Sequence, residues 1–180
     1  MKYVCLLRGI NVGGKNLIKM AELKILLEKL GFSSVKTYIA SGNVIFESNL
    51  DKLAAKAVIE KRLLERISSP ISVLLLTAEE MRRIVSERPA GFGEDRAYYK
   101  YDVAFLIDPL TVDEAFSEFT PRVGVDRVWA GELCVYIAMD LKQLTKSWIS
   151  KIIESPIYPF ISIRNWNTTW KLSQLIDDTK

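Results

Sequence analysis

Val35-Lys36-Thr37-Tyr38-Ile39-Ala40-Ser41-Gly42-Asn43-Val44-Ile45-Phe46-Glu47 is the stretch on which the fold turns. Val35–Ala40 and Val44–Glu47 have strand composition, and Ser41-Gly42-Asn43 between them is a tight turn, so the stretch reads as a β-hairpin. Upstream, the apolar run Tyr3–Leu7 is a buried strand, residues 8–19 form a long loop, and Met20–Leu30 is a helix that Gly31 stops. Leu23, Leu26, Leu27 and Leu30 make its apolar stripe. Downstream, Asn49 or Asp51 caps a helix to about Ile67, Ser68-Ser69-Pro70 breaks it, and Ile71–Leu76 is a strand. A single strand after the first helix would begin a parallel sheet. The hairpin instead makes residues 1–77 a β-α-β-β-α-β unit, the ferredoxin-like pattern with an antiparallel sheet.

The same element order returns further on. Thr77-Ala78-Glu79-Glu80 opens a connecting helix through Arg88, and Ala90–Lys100 reads as a linker or surface loop. Strands follow at Tyr101–Ile107, Arg127–Ala130, Leu133–Met139 and Phe160–Arg164, with helices at Thr111–Phe119 and Leu141–Glu154. A last helix, Thr168–Ile176, takes its cap from Asn167 or Thr168. The expected fold is therefore α+β: two ferredoxin-like halves with antiparallel sheets, a connecting helix and an extra C-terminal helix. The boundaries are 1–77 for the first half, 78–97 for the connection and 98–180 for the second half with its added helix.

This topology carries a geometric expectation. With strand order 4-1-3-2, the loop after the first strand and the turn after the second lie at one end of the sheet. Arg8–Asn16 and Ser41-Gly42-Asn43 then form one polar pole. In the second half the equivalent logic brings Leu144-Thr145-Lys146-Ser147 beside Arg164-Asn165-Trp166-Asn167.

Composition bounds the chemistry. Half the residues are apolar (49%), enough for a core, and no apolar run is long enough to span a bilayer. No signal-peptide pattern is present, and the expectation is a cytoplasmic protein without a membrane partner. Cys5 and Cys134 lie in apolar strands and read as buried thiols, not a disulfide. The chain has no histidine, and its paired acids read as caps, loops and tails. Histidine-based triads and zinc sites are excluded; neither a metal nor a cofactor is expected. Residues 1–77 carry 12 Lys and Arg against 6 Asp and Glu, while 78–180 carry 13 against 16. The basic first half favours an anionic small molecule or nucleic acid as partner.

Arg8-Gly9-Ile10-Asn11-Val12-Gly13-Gly14-Lys15-Asn16 concentrates that chemistry. Glycines let backbone amides converge on an anion, and Arg8 adds a bidentate donor. Gly9 to Lys15 even fits G-x-x-x-x-G-K, but Asn16 replaces the magnesium-binding hydroxyl and the sheet is antiparallel, so a nucleotide-hydrolysing P-loop is not expected. Base stacking in the manner of an RNA-recognition motif is also poorly supported, because Phe46 is the single aromatic of its strand. The second distinctive stretch is Arg164-Asn165-Trp166-Asn167-Thr168-Thr169-Trp170, where the tryptophans read first as core packing. Tyr98-Tyr99-Lys100-Tyr101 reads as an ordinary strand start.

Leu7-Arg8-Gly9-Ile10-Asn11-Val12-Gly13-Gly14, Met20-Ala21-Glu22-Leu23, Ser41-Gly42-Asn43-Val44-Ile45-Phe46 and Arg164-Asn165-Trp166-Asn167-Thr168 together resemble the bacterial family catalogued as domain of unknown function 1697, over nearly the whole chain. The resemblance implies a two-part protein of ferredoxin-like halves and brings no catalytic residue with it. The candidate ligand-binding set is accordingly Arg8, Gly9, Asn11, Gly13, Gly14, Lys15, Ser41, Gly42, Asn43, Lys146, Arg164, Asn165 and Asn167. The leading expectation is binding of a phosphate-bearing small molecule or nucleic-acid backbone at the Arg8–Asn16 loop. One alternative is an enzyme working through Lys146, Arg164 or a tyrosine. The other is a structural module, whose motifs would show buried, internally bonded side chains.

Overall fold

A computed structural model describes residues 1–67 and 69–178. The chain divides into two compact units, Met1–Arg82 with Lys171–Lys180 and Arg83–Trp170. The first contains β1 (Lys2–Arg8), α1 (Met20–Lys29), β2 (Ser33–Tyr38), β3 (Asn43–Glu47), α2 (Lys52–Ile67) and β4 (Ser72–Thr77). Its sheet has the order β2-β3-β1-β4 with antiparallel neighbours throughout. One face packs Tyr3, Cys5, Leu7, Val44, Phe46, Val73 and Leu75 against Leu23 and Leu27 of α1 and Ala55, Ile59 and Leu63 of α2. Val4, Leu6 and Ile45, on the opposite face, are also buried. That double burial explains the continuous apolar run of β1. It also closes the sheet to base stacking, and Phe46 itself faces the helices, stacked on Phe32.

Helix α3 (Ala78–Ser86) starts at a capping box: Thr77 Oγ1 accepts from the Glu80 amide, and Glu80 Oε2 accepts from the Thr77 amide. The second unit then runs β5 (Tyr99–Leu106), α4 (Val112–Glu118), β6 (Asp126–Ala130), β7 (Cys134–Asp140) and β8 (Ile161–Asn165). Its sheet order, β6-β7-β5-β8, repeats the first. Helix α5 (Trp166–Asp177) is shared between the units, with the residues from Lys171 onward belonging to the first.

Two local expectations give way. Leu141–Glu154 is not one α-helix but two 3-10 segments, Leu141–Lys146 and Ile149–Glu154, followed by a third at Tyr158–Phe160. Side chains divert the backbone: Asp140 Oδ1 accepts from the Lys142 amide, Asp126 Oδ2 from the Trp148 amide and Ser147 Oγ from the Ile149 amide. Each bond offers an amide an alternative to the helical ladder. Residues 87–98 are also more than a surface loop. Phe92 is buried at the centre of an aromatic cluster with Tyr101, Trp129, Tyr136 and Trp166, at centroid distances of 4.9, 6.0, 5.2 and 5.2 Å. A phenylalanine directly between two turn glycines, Gly91 and Gly93, left no periodicity to read.

Candidate functional site

The first pole forms as the topology requires. The Leu7 amide donates to Gly42 O, and a Cβ on Gly42 would fall 2.7–2.9 Å from Ile10 and Leu7 atoms, so the turn and the loop interlock. Asn11 ties them further: its Nδ2 donates to Ile18 O at 3.0 Å and Ala40 O at 2.9 Å, while its Oδ1 accepts from the Ile18 amide at 2.9 Å. Asn16 Nδ2 donates to Gly9 O, and Asn43 Nδ2 to Tyr38 O and Ser41 Oγ. These amides are thus committed to holding the loops. Positive φ angles at Gly13 and Gly14 make a two-residue turn between Val12 and Lys15, bridged by the Lys15 amide donating to Val12 O. The Gly13 and Gly14 amides carry no protein partner among the described residues, and Lys15 is exposed beside them. Helix α1 begins only at Met20, so the turn does not feed a helix N-terminus as a P-loop does. Arg8 ends β1 opposite Ser72, on the sheet face away from α1 and α2 that Asn43 shares.

The second pole separates the residues expected to meet. Lys146 Nζ approaches Gln143 Oε1 at 3.4 Å, and Lys146 O accepts from Arg122 just ahead of edge strand β6. Arg164 and Asn165 lie on β8, the opposite edge strand, and Arg164 donates to Ser162 Oγ and Ile163 O. Asn165, not Asn167 or Thr168, caps α5, its Oδ1 accepting from the Thr168 amide at 2.8 Å.

Asn165 and Asn167 nevertheless line an open cleft of about 210 Å³. Arg96, Tyr99, Lys100, Tyr101, Leu141 and Trp166 complete its lining. The topology explains the convergence: β5 begins, and β7 and β8 end, at this edge of the sheet. Arg96 Nη1 donates to Asn167 Oδ1 at 2.7 Å and Nε to Gly93 O at 2.8 Å, leaving Nη2 without a protein partner among the described residues. Lys100 pairs with the buried Asp102 at 2.7 Å. Burial pushes the Asp102 carboxyl up against the opposing pull of Lys100. Burial likewise raises the Tyr101 phenol. Arg127 lies over the Tyr99 ring at 4.8 Å and donates to its hydroxyl, adding a third cation nearby. Trp166 stands in its wall because Gly93 has φ +85° and no Cβ; one there would come within 2.9 Å of Trp166 Cε2.

Sequence reasoning named Asn165 and Asn167 but missed Arg96, Tyr99, Lys100 and Tyr101. The available signal was the Tyr-Tyr-Lys-Tyr run. Only the β5–β8 pairing sets it beside Asn165 and Trp166.

Residues 1–136 match the model of a family described as protein of unknown function, DUF1697. The chain belongs to this family. The matched region ends before the Arg164–Thr168 motif. The solved structure of conserved bacterial protein SP0830 from Streptococcus pneumoniae is similar along 98% of both chains, with 28% identity and a TM-score of 0.86. No curated protein matches the chain. Membership brings the two-sheet α+β architecture and no assigned chemistry. Among the described residues no helix is long and apolar enough to cross a membrane, and no cluster of three or more potential metal-ligating side chains occurs.

Proposed function

We propose that this family member binds a phosphate-bearing small molecule in the cleft of its second unit. The observation that carries the reading is the convergence of Arg96, Lys100, Asn165 and Asn167 with the rings of Tyr99, Tyr101 and Trp166 around one concavity. Two cations and two side-chain amides suit an anion; the aromatic walls suit the body of the molecule bearing it. A volume near 210 Å³ fits a small ligand better than a run of nucleic-acid backbone. In this reading Arg96 meets the anion through Nη2 while Asn167 holds the guanidinium in place. The Arg8–Asn16 loop acts mainly as a clasp, and Lys15 with the Gly13 and Gly14 amides offers a second, weaker anion contact. Lys146 and Arg164 do not line the cleft, which favours binding over catalysis through those groups.

Titration with inorganic phosphate, pyrophosphate and a nucleoside monophosphate, followed by tryptophan fluorescence, tests the reading. Arg96→Ala is expected to weaken the best ligand about tenfold or more, since a charge-assisted hydrogen bond is worth roughly 1.5–3 kcal/mol. Lys15→Ala should change it little. Unchanged affinity in Arg96→Ala removes the cleft from the function; loss in Lys15→Ala returns the site to the glycine loop.

A further inference from the structure

The clasp of the first unit has a product that ligand binding does not explain. Ile39 has φ +49°, a left-handed conformation that a β-branched residue rarely adopts, yet it is 51% exposed. Packing does not impose it. Instead Asn43 holds the carbonyl of Tyr38 before it, and Asn11 holds the carbonyl of Ala40 after it. Asn11 also fixes Ile18, next to Leu17, which is 63% exposed, and Val12 at the loop tip is 67% exposed. A network of side-chain amides therefore presents three aliphatic side chains to solvent. Strain held in this way at an exposed position marks a working surface. Its charge has one sign: residues 8–21 carry Arg8, Lys15 and Lys19 and no carboxylate, and residues 33–46 add Lys36 alone.

The second unit carries the complement. A groove of about 430 Å³ is lined by Pro109, Leu110, Ile157 and Phe160, with Glu114, Ser117 and Glu118 on it. Phe160 is 40% exposed there. Residues 103–121 contain four carboxylates, Asp108, Asp113, Glu114 and Glu118, and no cation. Apolar knob with basic collar and apolar groove with acidic rim match in both respects.

We propose that the Val12–Leu17–Ile39 tip of one copy docks in the Pro109–Phe160 groove of a second copy. The aliphatic side chains fill the groove, and Lys15 and Lys19 face Glu114 and Glu118. Because the two surfaces differ, the contact either closes as a reciprocal pair or propagates head to tail. A tip this small buries less than a standard interface, so the association is weak and concentration-dependent.

Sedimentation velocity over a concentration series up to about 1 mM, a range suited to weak association, tests this with charge variants of exposed residues. The tip variant is Lys15→Glu with Lys19→Glu; the groove variant is Ser117→Lys with Glu118→Lys. Wild type is expected to associate. Each variant alone should associate at least about tenfold more weakly, because like charges then face each other. Mixing the two restores opposite charges at the contact and should restore association. A wild type that stays monomeric overturns the proposal, and so do variants that associate as wild type does. So does a mixture no better than its components when circular dichroism shows both folded. A monomeric wild type that cosediments with vesicles of anionic phospholipid would assign the tip to a lipid surface instead.

Discussion

The two halves share one strand order but differ in what they build at the ends of their sheets. In the first, the end where β1 leaves is occupied by a long glycine loop clasped by Asn11, Asn16 and Asn43. In the second, the equivalent end is closed by a short connection, residues 107–111, capped by Thr111 and Glu114. The second half instead opens its cleft at the other end, where β5 starts and β7 and β8 finish. The long α2 of the first half also has no counterpart, since 3-10 segments take its place. One topology thus offers two ends to each sheet, and loop chemistry, not element order, decides which end acquires a site.

Three comparisons break or sharpen that contrast. The largest effect is expected at the hairpin glycines. At Gly42, φ is +78° and a Cβ would meet Leu7 Cβ and the Cδ1 and Cγ1 of the buried Ile10. Gly42→Ala should cost about 3–4 kcal/mol, combining backbone strain and overpacking. Gly131, in the corresponding turn of the second half, meets Tyr136 Cε2 at 2.6 Å without a positive φ, so Gly131→Ala should cost less. Urea unfolding midpoints of the two variants make the comparison, and equal losses would show that the first turn is not specially constrained.

A smaller difference is expected between the loop devices themselves. Asn11→Ala removes three hydrogen bonds and should destabilise by about 2–3 kcal/mol. Thr111→Ala removes one capping residue and should cost about 1 kcal/mol. If thermal melts rank them in the opposite order, the glycine loop is not a clasp.

Over the single unit from pH 9 to 10, the smallest effect is in alkaline solution. Cys5 and Cys134 are both buried thiols outside any disulfide, and burial pushes the Cys134 thiol up to about 12. An unfolded cysteine ionises near about 8.5, so above that pH the unfolded chain loses a proton that the folded chain keeps. Stability therefore falls with rising pH between those values, by roughly 1.4 kcal/mol per pH unit from this group. Burial raises Tyr136 as well, and it adds to the fall at still higher pH. Cys134→Ala should flatten the pH 9–10 part of the profile; an unchanged slope would place the titration elsewhere.

The sheets were legible because local signals agreed with one another. β1 is continuously apolar, Asn43 follows a turn glycine, and Gly31 ends α1 with φ +85°. The family motif residues were legible as a cluster, but not by role. Asn11 and Asn43 are good anion ligands on paper; the folded chain turns them onto backbone carbonyls. Lys146 and Arg164 were expected together and sit at opposite edges of one sheet.

By itself the sequence determined the α+β class, both strand orders, the pole formed by the first loop and turn, and the exclusion of histidine chemistry. Each of these rests on periodicity, turn residues or composition, which act over a few neighbours. Tertiary structure alone decided that Phe92 enters a core and that the Tyr99–Tyr101 run meets Asn165 and Trp166. It alone decided that residues 141–154 wind as 3-10 turns and that Ile39 stands out in a left-handed conformation. Those outcomes depend on hydrogen bonds and packing between residues far apart in the chain, such as Asp126 with Trp148 and Asn11 with Ala40, and no local pattern encodes them.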